Sequence, residues 1–315
     1  MTYVKSPLNY TGNKLRILDQ ILPHFPNQGV MVDLFSGGAT VGINTDFEHV
    51  IFIDSDPRVI NLLEVISQVD TNQIVKEIEK LIGFYKLSYS AKHTYSFYTR
   101  NLIDNRNNGL KKYNSEGYYE LRKDYNSLKN KNTIKANIML YTLMIYAFNN
   151  DIRFNSKGEF NLPVGKTDLN SANIKKLYGF KERANTKQID FVCGDFRDEK
   201  IRKVILNADF IYMDPPYLIT EAVYNKTSHW TENTEFALLS LMDELIRQKK
   251  SFVLSNVITK FGKRNEPLFS WLQENGNFVT VLNIDYHYRS ASYNKKNRNS
   301  EEQEIIVRFC KEVIE

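Results

Sequence analysis

Asp214-Pro215-Pro216-Tyr217 sets a carboxylate, two rigid carbonyls and an aromatic ring side by side in the chain. The tetrapeptide follows the apolar run Phe210-Ile211-Tyr212-Met213, which reads as a buried strand, and two prolines forbid any continuation of its ladder. In open α/β sheets, ligands bind at such strand ends. These parts suit a flat base that carries an exocyclic amine. Asp214 and the Pro215 carbonyl can accept its two N–H bonds, and Tyr217 can stack on its face. A plain strand-ending turn is the other reading of the same residues.

Two upstream motifs favour the first reading. Val32 to Thr40 (Val-Asp-Leu-Phe-Ser-Gly-Gly-Ala-Thr) takes a strand, expected over Gly29 to Phe35, into a small-residue turn and a helix expected from about Ala39 to Phe47. Glycines let the backbone approach a ligand, and a helix start offers N–H donors. Val50-Ile51-Phe52-Ile53-Asp54 is a second strand ending in an acid, about 20 residues further on, the spacing at which a carboxylate binds ribose hydroxyls. Asp56-Pro57 then reads as a helix cap followed by proline at the first helical position. Asp54 could equally be a turn acid. Together the units argue for a nucleoside-bearing cofactor.

In this order the residues resemble the DNA adenine methyltransferases of the Dam type. Asn9-Tyr10-Thr11-Gly12-Asn13-Lys14 is similar to that family's N-terminal cofactor motif, Phe35 to Ala39 to its Phe-x-Gly-x-Gly loop, Asp54 to its ribose acid and Asp214 to Tyr217 to its catalytic motif. Asn149 to Pro163 resembles its DNA-reading hairpin, and Arg289 to Ser300 a basic loop near its C-terminus. Ala39 departs from the pattern, standing where the family usually has a glycine.

The resemblance implies methyl transfer from S-adenosylmethionine to the N6 amine of an adenine flipped out of double-stranded DNA, within GATC or a related site. Asp214, Pro215, Pro216 and Tyr217 are then catalytic. Tyr10, Lys14, Asp33, Phe35, Ser36, Gly37, Gly38, Asp54, Asp195 and Phe196 are expected to hold the cofactor. Phe148, Asn149, Arg153 and Asn155 are expected at the bases, and Arg289, Lys295, Lys296 and Arg298 at phosphates. Arginine's fork pairs with guanine O6 and N7 in the major groove, which suits Arg153; pairing with Glu159 across the hairpin is its structural alternative. Leu218 to Thr234, with Tyr224 and Trp230, is expected to cover the flipped base. Other readings are a cofactor-responsive DNA-binding module without turnover, and methyl transfer to cytosine N4 or RNA.

Composition sets limits. The 315 residues can bury a large core, and an apolar content of 42% with 25% charged residues is ordinary for a globular chain. The apolar run Ile138 to Phe148 is too short to span a bilayer, and no export pattern leads the chain, so a cytoplasmic setting is expected. Cys193 and Cys310 form no metal-binding pair and are expected in the core; no zinc site is expected. The net charge is +5, with nine Lys/Arg against four acids over residues 100–135. A solvated face is the ordinary reading of such a run. A monomer is expected, and a restriction endonuclease sharing the site is a candidate partner.

The elements that must position these residues follow from periodicity. Val32 to Leu34, Val50 to Ile53, Ile189 to Val192, Phe210 to Met213, Phe252 to Ser255, Phe278 to Ile284 and Ile305 to Phe309 read as strands, with helical spacing between several of them. The expected fold is a Rossmann-like, mostly parallel α/β sheet with an antiparallel edge hairpin. Residues 1–57 and 188–315 are expected to form the catalytic domain. Residues 58–187 break the alternation and are expected to form an inserted, mainly helical target-recognition domain ending in the hairpin at 149–163, with Gly158 at its tip.

Overall fold

A computed structural model of the chain describes residues 3–100, 108–219, 230–284 and 302–310. Among them the strands are β1 Val30–Leu34, β2 His49–Asp54, β3 Gln188–Cys193, β4 Phe210–Met213, β5 Ser251–Lys260, β6 Lys263–Arg264, β7 Thr280–Asn283 and β8 Gln303–Phe309. Contacts divide the chain into two units. One comprises Met1–Leu15, Gly37–Asn44 and Asp56–Cys193; the other comprises Arg16–Ser36, Thr45–Ser55 and Gly194–Glu315.

The second unit is built on a sheet ordered β2-β1-β4-β5-β8-β7. Strands β2, β1, β4 and β5 are parallel, and β8 and β7 run antiparallel at the edge. This is the mostly parallel α/β sheet with an antiparallel edge that the sequence predicts. Every residue of β4 is buried, as its unbroken apolar run requires of a strand covered on both faces. Phe25 and Phe47 pack on Phe210, with ring centroids 4.6 Å and 5.5 Å away. Glu199–Asn207, Glu232–Arg247 and Glu266–Asn275 are this unit's longer helices.

Two elements differ from expectation. β5 continues past Ser255 to Lys260 and turns through Phe261 and Gly262, both at positive φ, into β6. Two central residues at positive φ make the mirror-image turn that suits a tight hairpin, and a phenylalanine in the first position hides that signal. The helix after β1 covers only Thr40–Ile43, because the Asn44 amide donates to the Thr40 carbonyl and to Val4, closing the first turn.

The first unit is mainly helical. The helix Ile134–Tyr146 is buried on all sides from Ala136 onward, and Pro57–Gln68, Thr71–Phe84 and Lys111–Ser127 pack around it. Thr133 caps it by accepting from the Ala136 N–H, and Asp56, Asp70 and Asn170 do the same for Pro57–Gln68, Thr71–Phe84 and Ser171–Ala184. Residues 58–187 all lie in this unit, together with residues 1–15 and 37–44.

The cysteines correct the expectation of a buried pair, since both are exposed. β3 buries none of its side chains fully, and Cys193 ends it facing outward. Cys310 lies one residue beyond β8. No helix among the described residues is long and apolar enough to cross a membrane.

Gly117 sits inside Lys111–Ser127 where an added Cβ would lie 1.8 Å from the Tyr85 carbonyl oxygen. Alanine improves helix propensity by about 1 kcal/mol, but overpacking against fixed backbone costs about 1–3 kcal/mol or more. Gly117→Ala should therefore lower the thermal unfolding midpoint, although alanine is the better helix former.

Candidate functional site

In the sheet unit, β1, β2 and β4 deliver their C-terminal ends to one edge. Their register aligns Leu34 with Ile53 and with Met213, so the residues that follow are neighbours. The Asp214 N–H donates to the Leu34 carbonyl at 3.3 Å, and the Ser36 N–H to the Ile53 carbonyl at 3.0 Å. At the end of β2 the Asp54 carbonyl accepts from Gly194, whose acidic neighbour is Asp195. Asp33 is buried within β1.

The Tyr217 hydroxyl lies 3.1 Å from an Asp214 carboxylate oxygen and 3.4 Å from Oε1 of Glu304, a buried acid on β8. Two carboxylates thus converge on one hydroxyl beside Pro215 and Pro216. Phe35, at φ 65, packs edge-on against Phe196 at 5.4 Å and Trp230 at 5.5 Å. The buried Ser36 hydroxyl has no hydrogen-bond partner among the described residues. Asp195 is held by Arg197 through its backbone N–H and its guanidinium, and that bonding lowers the Asp195 pKa. Its carboxylate is therefore anchored by a neighbour two residues on.

Of the expected cover Leu218 to Thr234, residues 220–229 lie outside the described residues, and Trp230 belongs to the packed part that follows them. Its indole is buried and donates to Glu235 at 2.7 Å, and Thr231 caps the helix Glu232–Arg247. Glu235 also accepts from Asn265 at 2.8 Å and Asn256 at 3.5 Å. Tyr224 lies outside the described residues, as do Arg289, Lys295, Lys296 and Arg298.

The helical unit holds the other predicted residues. Gly37, at φ 48, abuts the ring of Tyr10, and an added Cβ would stand 2.8 Å from two ring carbons. Gly38 packs against Ser6 and Tyr10, and Ala39 takes a left-handed φ of 59, the conformation for which glycine is the cheapest residue. Lys14 is buried, with Nζ 3.3 Å from the Gly12 carbonyl.

Residues 147–164 form a narrow hairpin with bridges Ala147–Val164 and Phe154–Phe160. Its base is closed by Phe148 N–H to the Pro163 carbonyl and Gly165 N–H to the Tyr146 carbonyl. Gly158, at φ 73, sits at the tip as expected, and the Asn155 side chain spans that turn, accepting from Lys157 and Glu159 N–H and donating to the Glu159 carboxylate. Arg153 is exposed and bonds Asn161 at 2.9 Å, rather than Glu159. Phe148 is 48% exposed, so core packing does not explain it. Asn149 has a left-handed φ of 58, and its carbonyl accepts from the Asn9 amide at 2.7 Å.

The D12 class N6 adenine-specific DNA methyltransferase family model matches residues 10–288. The chain belongs to that family. It is 33% identical over 313 residues to the type II methyltransferase M.FokI of Planomicrobium okeanokoites, covering 97% of this chain and 43% of the relative. It is 34% identical over 312 residues to the modification methylase StsI of Streptococcus sanguinis, again 97% and 43%. The DNA adenine methylase of Escherichia coli K12 is 26% identical over 253 residues, 79% of each chain. The chain therefore spans less than half the length of the first two relatives and most of the third.

For this member of the D12 class, sequence reasoning missed Glu304, Glu235 and the supports of the hairpin. Glu304 is a lone acid entering an apolar strand, Gln303–Phe309, and that mismatch was the available signal. Gly37→Ala should cost about 1–3 kcal/mol through the Tyr10 clash and the positive φ, read as a lower unfolding midpoint. Burial raises the Glu235 carboxyl above the ordinary glutamate value, against the pull of its Asn265, Trp230 and Asn256 donors. The folded chain then keeps a proton that the unfolded chain releases. Its contribution to stability is present below the ordinary value and is lost as pH climbs through the raised one. Glu235→Gln should flatten this fall in a thermal-melt series across pH, and should lower every midpoint because an amide nitrogen must then face a donor.

Proposed function

We propose that the chain transfers a methyl group from S-adenosylmethionine to the N6 amine of adenine in double-stranded DNA. The observation that carries this reading is the end of β4, where Asp214 follows a buried strand and holds the Tyr217 hydroxyl at 3.1 Å. Membership of the D12 class supports the choice of base and atom.

The adenine amine is a weak nucleophile because its lone pair is delocalised into the ring. Asp214 and the Pro215 carbonyl accept its two N–H bonds and turn that lone pair out of the ring plane. Acceptors fixed before charge develops cost no reorganisation during reaction. Pro216 stiffens the turn, and Tyr217 stacks on the base. Lifting the base from the duplex costs a few kcal/mol, which stacking and DNA contacts must offset.

Bound S-adenosylmethionine supplies the electrophilic methyl group. One observation fits such a group: the buried Ser36 hydroxyl has no protein partner among the described residues. Asp54 takes the ribose hydroxyls, and Asp33, Phe35, Asp195 and Phe196 complete the sheet side. Tyr10 and Lys14 serve the methionyl end.

Residues 58–187 act as the target-recognition part. Arg153 reads guanine in GATC or a related site, Phe148, Asn149 and Asn155 take the neighbouring positions, and Arg289, Lys295, Lys296 and Arg298 meet phosphates. A restriction endonuclease sharing the site, a monomeric state and a cytoplasmic setting belong to the same proposal.

The test is transfer of labelled methyl from S-adenosylmethionine to unmethylated duplexes with and without GATC. N6-methyladenine is expected in the GATC duplex, with Asp214→Ala lowering the rate roughly 10²–10³-fold or more while cofactor binding persists. Methylation independent of GATC discards the site, and cofactor binding without transfer to any DNA favours a binding module.

A further inference from the structure

In the hairpin, Asn155 N–H donates to the Glu159 carbonyl and Asn161 N–H to the Arg153 carbonyl. These bonds flank the Phe154–Phe160 bridge, so Phe160 is in a non-hydrogen-bonded pair and turns its own N–H and C=O outward. An outward strand edge needs a partner. Asn126 supplies it: its Oδ1 accepts from Phe160 N–H at 2.9 Å, and its amide donates to the Phe160 carbonyl at 3.0 Å. Two residues on, the Leu162 carbonyl also faces outward and takes the Tyr118 hydroxyl at 3.0 Å and the Arg122 guanidinium at 2.9 Å.

Positions 118, 122 and 126 lie one helical turn apart, on one stripe of Lys111–Ser127. That stripe pairs with the hairpin as a neighbouring strand would. Asn161, between the two held residues, is the side chain that bonds Arg153. From the opposite strand, Phe154 packs edge-on against Phe160 at 5.6 Å and lies under the Arg58 guanidinium at 3.8 Å.

We infer that Asn126 is a positioning residue for sequence specificity, one that fixes the reading edge of the hairpin by gripping both backbone groups of Phe160. This rests on the proposed role of the hairpin at the bases. Only an amide matches both groups: an aspartate in its place can accept from the N–H but sets an oxygen against the carbonyl. The contact touches neither cofactor nor catalytic residues, so the strand pitch, and with it the choice of sites, is what it controls.

The experiment maps methylated adenines on unmethylated plasmid DNA by single-molecule sequencing. It compares the unaltered chain with Asn126→Asp, Tyr118→Phe and Arg153→Ala, with S-adenosylmethionine affinity and unfolding midpoint measured for each. Asn126→Asp is expected to bind cofactor normally and to raise methylation of sites one base pair off the consensus at least tenfold relative to consensus sites. Tyr118→Phe, which removes one hydroxyl from a packed ring, should shift the spectrum the same way by a smaller factor, and it decides the matter if Asn126→Asp does not fold. An unchanged site spectrum in the folded variants overturns the inference while Arg153→Ala still relaxes specificity. If Arg153→Ala also leaves the spectrum unchanged, the reading role of the hairpin fails first and the inference fails with it.

Discussion

The parallel register between β1 and β4 is the constraint on which the placement of Asp214 depends. It pairs Leu34 with Met213, so the chain leaves both strands at the same level, and the Asp214 N–H closes onto the Leu34 carbonyl. A slip of one residue would turn every side chain of β4 to the opposite face. Both faces of β4 are buried, so packing around Phe210 and Tyr212 fixes the register, while the two prolines stop the ladder at its last paired residue. Core packing and the placement of Asp214 are therefore one problem with one solution.

The hairpin is solved differently. It is too narrow to stand alone in water, and two-stranded ribbons are marginal without a further layer. Its second strand borrows partners from Lys111–Ser127, and its base is tied in by buried polar groups. Asp168 accepts from Ser88 and Ser90, and the Tyr146 hydroxyl donates to the Ser88 carbonyl. Burial raises the Asp168 pKa, and those donors counter the rise. These bonds belong to the frame, while Arg153 and Phe148 stay at the surface.

The parts legible in the sequence are those whose signal is local. The apolar run before Asp214, the glycines after β1 and the acid ending β2 each announce themselves within ten residues, and a mostly parallel sheet follows from the alternation of strands with helical spacing. What stayed hidden depends on pairs far apart in the chain. Asn126 and Phe160 are 34 residues apart, and nothing about an asparagine in a charged, tyrosine-rich helix says it will bond backbone. Glu235 is likewise held by Asn265, 30 residues on, a pairing that no local pattern announces. The cysteines misled in the opposite sense, because apolar neighbours in sequence do not guarantee a covered face at a strand end.

Tyr217 has a single hydroxyl proton and two carboxylates within reach, those of Asp214 and Glu304. One proton is thus shared between an acid at the end of β4 and an acid within β8, so a single ring spans from the parallel part of the sheet to its antiparallel edge.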